Sequence, residues 1–240
     1  MADSSERVSG WLKHHLALHN FLSVDFLAFI GLPRVKLATV INLQKGGSLL
    51  MCLWLAYAYD RLDSPTMMTY AALHGSYGLL WLLKEAVFPD PNWQVAVTLP
   101  SAVNAWLFVL GPYWLAPYLI ASRAVEAPAW KCGAATMMYS IGVVLMMGAD
   151  AQKYFVLRAR RGLITDGFFA RVRHTNYLGE MMLYGSFAWL SCQPEPWYVV
   201  GFVWGFVFVP NMLRKEARMS RYPEWAAYCK KAGFLWPKFL

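Results

Sequence analysis

The sequence predicts an all-α polytopic membrane protein of about six transmembrane helices, including a short C-terminal helical hairpin. Three observations carry that expectation. The 240 residues are 58% hydrophobic and 16% aromatic, too apolar for one soluble domain. Apolar stretches recur at 37–59, 66–88, 98–121 and 130–152, each near the roughly 20 residues that a spanning helix needs. The net charge of +8 is gathered near the ends of these stretches rather than spread along the chain.

The chain divides by composition into an amphipathic N-terminal region at 1–36, a transmembrane bundle at 37–152 and a C-terminal domain at 150–240. In the first region Trp11, Leu12, Leu16 and Leu18 are expected to face lipid, with His14, His15 and His19 on a surface helix. The opening MADSSERVSG lacks the apolar core of a signal peptide and the arginine-rich character of a transit peptide. The third stretch carries Pro100, Pro112 and Pro117, which predicts a kinked or broken helix whose freed carbonyls find partners on neighbouring helices. Segments 178–192 and 197–212 flank Gln193-Pro194-Glu195-Pro196, the turn of the expected hairpin.

Six crossings place both termini on one side. Lys153, Arg158, Arg160, Arg161, Arg171 and Arg173, with Arg214, Lys215, Arg218, Arg221, Lys230, Lys231 and Lys238 in the tail, mark that side as cytoplasmic. One reading of these residues is topology and attraction to anionic lipid headgroups; the other is that some of the arginines meet the phosphates of a cofactor, whose oxygens suit the guanidinium fork. Nucleic acid is not an expected partner, because the basic residues adjoin spans instead of forming a basic domain. Cys52, Cys132, Cys192 and Cys229 are widely spaced without a CxxC pair, and the five histidines form no HExxH, so no metal site is expected. No Gly-rich nucleotide loop follows a strand, so any nucleotide must bind within the helical bundle.

The densest run of polar chemistry is Arg173-His174-Thr175-Asn176-Tyr177-Leu178-Gly179-Glu180. On a helix, Arg173, Asn176, Tyr177, Glu180 and Tyr184 fall within an arc of roughly 100°. A carboxylate in such a stripe needs a partner or a wet cavity, which makes Glu180 a functional candidate, with Arg173 or Arg214 as its expected partner. A structural ion pair clamping two helices is the alternative. In the second stretch His74, Tyr77, Trp81, Lys84 and Glu85 share a face. Lys84 and Glu85 are expected to snorkel to the interface, whereas His74 lies too deep for that. Asp150 and Lys153 are spaced as an i,i+3 pair.

Residues 150–240 resemble the C-terminal domain of steroid 5α-reductases, their bacterial relatives and the Δ14- and Δ7-sterol reductases. The likeness rests on the RHxNYxGE pattern at 173–180 and on a tail with Arg214-Lys215-Glu216, Trp225, Tyr228-Cys229 and Leu235 to Leu240. It implies a membrane oxidoreductase that transfers hydride from NADPH to a carbon–carbon double bond of a sterol or enone lipid, with a cofactor cavity open to the cytoplasm. Carried over by position, it implies Asn176 and Glu180 at the nicotinamide end, Asp150 and Arg158 on cofactor polar groups, and Arg173, Arg214 and Tyr228 on phosphates or ribose. His174 and Glu216 join the cofactor-binding set, and Glu180, Tyr77 and His74 the catalytic one. Two positions depart from the pattern. Thr175 stands where many relatives have Pro, and Leu73-His74-Gly75 stands where 5α-reductases have a tyrosine after the histidine.

Two alternatives stay open. S-adenosylmethionine-dependent membrane methyltransferases carry a similar RHPxYxG motif, though Glu180 directly after Gly179 favours the reductases. A non-catalytic, reductase-like subunit of a large membrane complex would keep the fold without the activity. The expected location is the endoplasmic reticulum membrane, with an organellar inner membrane as the alternative.

Overall fold

The structure is a computed structural model and describes residues 10–238. Residues 1–9 of the N-terminal region, and Phe239 and Leu240 at the end of the tail pattern, lie outside the described residues. Ten α-helices, some joined by π or 3-10 turns, form the bundle among those residues. They are α1 (Gly10–Asn20), α2 (Leu37–Ala58), α3 (Pro65–Val87), α4 (Leu99–Asn104), α5 (Leu115–Ser122), α6 (Ala129–Ala159), α7 (Thr175–Leu190), α8 (Glu195–Val203), α9 (Val209–Met219) and α10 (Trp225–Lys231). A two-stranded ladder pairs β1 (Arg34–Lys36) with β2 (Ala96–Thr98), antiparallel, with Val35 opposite Val97.

Three helices, not six, are long and apolar enough to cross a membrane among the described residues: Leu99–Ser122, Ala129–Ala159 and Glu195–Met219. The expected count fails for reasons visible in the sequence. α2 carries Asn42, Gln44 and Lys45, and α3 carries His74, Ser76, Lys84 and Glu85, so both are helices with polar interiors. α7 has 16 residues, short of the roughly 20 that a crossing takes. Of the expected C-terminal hairpin, only the second arm therefore qualifies as a span.

Prolines shape two of the three long helices. Leu99–Ser122 passes through a π turn at Ala105–Leu110 and a 3-10 turn at Gly111–Trp114 before resuming as α5. In Glu195–Met219 a π turn at Trp204–Phe208 precedes Pro210. Proline cannot donate to the carbonyl four residues back, here that of Phe206. His15 of α1 takes that carbonyl through Nε2 at 2.8 Å, which pins the N-terminal helix to the bundle. Leu12 is buried in the same region while Trp11 and Leu18 stay exposed, so Leu12 faces protein and not lipid.

Small residues set a close helix crossing. A Cβ on Gly179 would lie 2.5 Å from the Met146 nitrogen and 2.6 Å from the Gly142 oxygen, and one on Gly142 would lie 2.7 Å from the Gly179 oxygen. The α6 and α7 backbones therefore touch, an arrangement that side chains of any size would prevent. The glycine of the RHTNYLGE run has its explanation in this crossing. Around it the core is unusually aromatic, with Tyr70, Tyr77 and Phe187 buried beside Met67, Met146 and Leu183.

Candidate active site

The loop before α7 is held by the chain's own tail. Arg173 N donates to Gly233 O at 2.8 Å and His174 N to Phe234 O at 3.2 Å. The helix starts at Thr175, whose hydroxyl donates to the carbonyls of Phe168 (2.6 Å) and Val172 (2.9 Å). A hydroxyl thus anchors the helix entry where a proline was the expected pattern. Because Arg173 precedes the helix, it leaves the polar face and turns to α9. Its guanidinium grips Glu216 with two hydrogen bonds of 3.0 Å, a bidentate geometry, and stacks over Trp225 and Phe234. His174, 1% exposed, donates from Nε2 to the same carboxylate at 2.9 Å. Tyr228 donates its hydroxyl to Phe169 O at 2.7 Å. Burial pushes that phenol up to about 12, so it stays protonated and able to donate. Arg173, His174, Glu216 and Tyr228 thus form a clamp that fastens the tail to the motif loop.

Inside α7 the face Asn176, Glu180, Tyr184 descends into the bundle at i, i+4 spacing. At the top, Asn176 Nδ2 donates to Asp150 Oδ1 at 3.3 Å. Asp150 is paired on its other oxygen with Lys84 at 2.8 Å, both side chains being buried. Lys84 is therefore an interior ion-pair partner and does not snorkel. Lys153 bridges Asp150 (3.5 Å) and Asp90 (3.3 Å). Burial pushes the Asp90 carboxyl up, but Lys153, the Asn92 amide and Lys84 together hold it below the ordinary carboxylate range. Beside this network lies a cavity of about 270 Å³ lined by Lys84, Phe88, Asp90, Asp150, Lys153 and Arg158, among others. Arg158 is exposed there and donates to the Tyr154 hydroxyl at 2.6 Å.

One turn deeper, Glu180 is half-buried and makes no hydrogen bond or ion pair among the described residues. The expected partners are elsewhere. Arg173 is closed on Glu216, and Arg214 is half-buried with its Nε unpartnered. The charges that act on Glu180 are those of Asp150, Lys84, Lys45 and Lys215.

At the next turn Tyr184 meets a residue that pattern reading passed over. Lys45 of α2 is 2% exposed. Its Nζ donates to the Tyr184 hydroxyl at 2.7 Å and lies 4.8, 5.1, 5.3 and 5.8 Å from the ring centres of Tyr77, Tyr184, Tyr113 and Trp81. The Tyr77 and Tyr184 hydroxyls are 3.1 Å apart, so Tyr77 does reach the face of α7. His74 lies below them, stacked on Phe187, with Nδ1 against the Tyr70 hydroxyl at 3.1 Å and Nε2 without a partner. The signal for Lys45 was present as a lone charge within an apolar stretch, which by itself marks a functional candidate. Nothing in the sequence told which rings enclose it.

Residues 95–232, more than half of the chain, match the family described as proteins of unknown function, DUF1295. The chain belongs to the DUF1295 family. The match contains Asp150, Asn176, Glu180 and Tyr184, whereas Lys45, His74, Tyr77 and Lys84 come from helices upstream of it. The site of this DUF1295 protein is therefore assembled across the boundary of the matched region. No curated protein matches the chain significantly.

Proposed function

We propose that the chain is an integral membrane oxidoreductase of the endoplasmic reticulum that transfers hydride from NADPH to a carbon–carbon double bond of a sterol or enone lipid. The observation that carries this is the column of Asn176, Glu180 and Tyr184, an unpaired carboxylate between an amide–carboxylate–lysine network and a phenol cluster. The three membrane-length helices and the resemblance of 150–240 to sterol and steroid reductases support the same reading.

The residues present suit part of a dinucleotide. Lys153 and Arg158 offer cations at the 270 Å³ cavity, large enough for part of such a cofactor and not all of it. Arg214 keeps a free Nε. Asn176 and Asp150 offer an amide and a carboxylate to a carboxamide. NADPH, when bound, supplies the hydride. Asn176 and Asp150 would orient the nicotinamide end, the cations would neutralise phosphate, and Glu180 and Tyr77 would act on the acceptor. Catalysis then depends on holding donor and acceptor together while a proton is delivered.

One observation favours a second reading. Arg173 is closed on Glu216 and so is not offered to a phosphate, as suits a non-catalytic subunit of a membrane complex that keeps the fold. The test is thermal unfolding of detergent-purified protein with NADPH, NADH or S-adenosylmethionine, since a ligand bound to the folded state raises its melting temperature. Stabilisation by NADPH, with turnover lost in Glu180→Gln, is expected. Stabilisation by S-adenosylmethionine alone would move the chain to the methyltransferases, and no shift with any of the three would leave the subunit reading.

A further inference from the structure

Arg214 and Lys215 are neighbours in sequence but lie about 100° apart on α9, so they serve different sides of the helix. Lys215 faces the site, and the charges that act on it are those of Lys153, Asp150, Asp90 and Glu180. Arg214 faces α1, where its charge acts on His19. Its own neighbours are Arg218, one turn along the same face, and the Tyr177 phenol. Among the described residues no carboxylate answers His19 or Arg214. Arg214 donates to no acceptor there, and its Nε is enclosed without one. A guanidinium shielded from water and left without an acceptor is costly, because the hydrogen bonds it loses are not replaced.

The seam between α1 and the Glu195–Met219 helix runs from apolar to basic. Phe202 and Phe206 are exposed and stack with ring centres 4.8 Å apart. Phe206 meets the His15 ring at 6.5 Å, and His15 stacks on His19 at the same distance. Arg214 and Arg218 close the row. The depth suits a lipid standing upright against the seam. The long helix has 25 residues, roughly 37 Å at 1.5 Å each, and about 30 Å of hydrocarbon measured from Glu195 brings Arg214 and Arg218 to the headgroup boundary. Trp11, exposed on α1, is a side chain that favours that level.

We propose that this seam seats one anionic phospholipid, with its phosphate on His19, Arg214 and Arg218 and an acyl chain along Phe202 and Phe206. The seat is independent of the reductase reading: it gives Arg214 a lipid phosphate and leaves that of a cofactor to Lys153 and Arg158. Guanidinium forks present paired N–H donors that match phosphate oxygens. Burial, then the charges of His15 and Arg214, hold the His19 imidazole below its ordinary value, so at neutral pH it adds a donor without adding charge. The two guanidiniums therefore set the charge of the seat. They select an anionic headgroup over a zwitterionic one, whose own ammonium would meet them. Contacts from both helices let the lipid hold α1 on the bundle, beside the 2.8 Å bond from His15 to the Phe206 carbonyl. Because α1 precedes the region of the family match, half of the seat is supplied from outside it.

The test titrates the full chain, stripped of lipid in detergent, with phosphatidylglycerol, phosphatidylcholine or inorganic phosphate. It reads Kd, melting temperature and amide hydrogen exchange across Gly10–Asn20. Phosphatidylglycerol is expected to raise the melting temperature and slow exchange in α1, phosphatidylcholine to do neither, and inorganic phosphate to bind far more weakly for want of an acyl chain. Arg214→Gln and Arg218→Gln should each weaken phosphatidylglycerol binding about tenfold, while Lys13→Gln, an exposed cation outside the seat, keeps wild-type affinity. Arg218 is exposed, so its replacement keeps the fold and carries the test if Arg214→Gln does not. Equal stabilisation by the two lipids, or unchanged affinity in the arginine variants, would overturn the proposal. Inorganic phosphate binding as tightly as phosphatidylglycerol would reduce the seat to an anion site and remove the lipid from it. Weaker NADPH binding in Arg214→Gln at unchanged lipid affinity would return Arg214 to the cofactor and overturn the seat.

Discussion

The tail clamp and the Lys45 cage are two buried cationic clusters within one fold, and they differ in how their charge is answered. In the clamp, Arg173 and His174 share the Glu216 carboxylate, and both ends of the guanidinium are bonded. In the cage, Lys45 meets four aromatic rings and one phenol. A cluster whose charges answer one another in full holds structure together. A charge whose neighbours only half answer it is an interior cost that stability does not explain, and such costs gather at sites of chemistry.

The comparison breaks most readily at Glu216. Its removal leaves a half-buried guanidinium and the buried His174 imidazole without their acceptor, so Glu216→Ala should lower stability by about 3 kcal/mol, read as a large fall in melting temperature in detergent. A change of only a degree or two would mean that the clamp is ornamental. The motif glycine comes next. Gly179→Val must push α6 from α7, at a cost of about 1–3 kcal/mol, and a variant as stable as wild type would show that the crossing can yield where a Cβ would lie 2.5 Å from the Met146 nitrogen.

A smaller effect follows from pH. Burial holds the His174 imidazole below its ordinary value near 6.5, even though Glu216 pulls it upward. The unfolded chain thus binds the proton more readily than the folded one, so the contribution is complete above about pH 6.5 and declines as pH falls below it. Melting temperature should drop between pH 7 and pH 5 in wild type and drop less in His174→Gln. Equal slopes in the two proteins would contradict this assignment. The smallest change is expected at Lys45, where Lys45→Met should alter stability by less than about 1 kcal/mol or raise it. A loss as large as that of Glu216→Ala would place Lys45 among the structural residues after all.

Much of the helical skeleton was legible because apolar length and period are local properties: the stretch at 66–88 lies within one residue of α3, and that at 37–59 of α2. Their status as spans was not, since Gln44, Lys45 and His74 keep α2 and α3 short of the apolar composition of the three membrane-length helices. The polar column at Asn176, Glu180 and Tyr184 was readable from its spacing. The pairing of Asp150 with Lys84 was not, because the partners lie 66 positions apart and only the contact of α3 with α6 brings them together.

The sequence by itself determined an apolar helical chain, its basic segments, and a conspicuous motif from Arg173 to Glu180. Tertiary structure alone decided that the two ends of that motif have different fates. Arg173 falls before the first helical turn and is drawn to Glu216 on α9, while Glu180 has no partner among the described residues. Periodicity specifies which residues share a face, but which charges meet across helices depends on packing, and here that packing is fixed by Gly142 and Gly179, where the backbones of α6 and α7 touch.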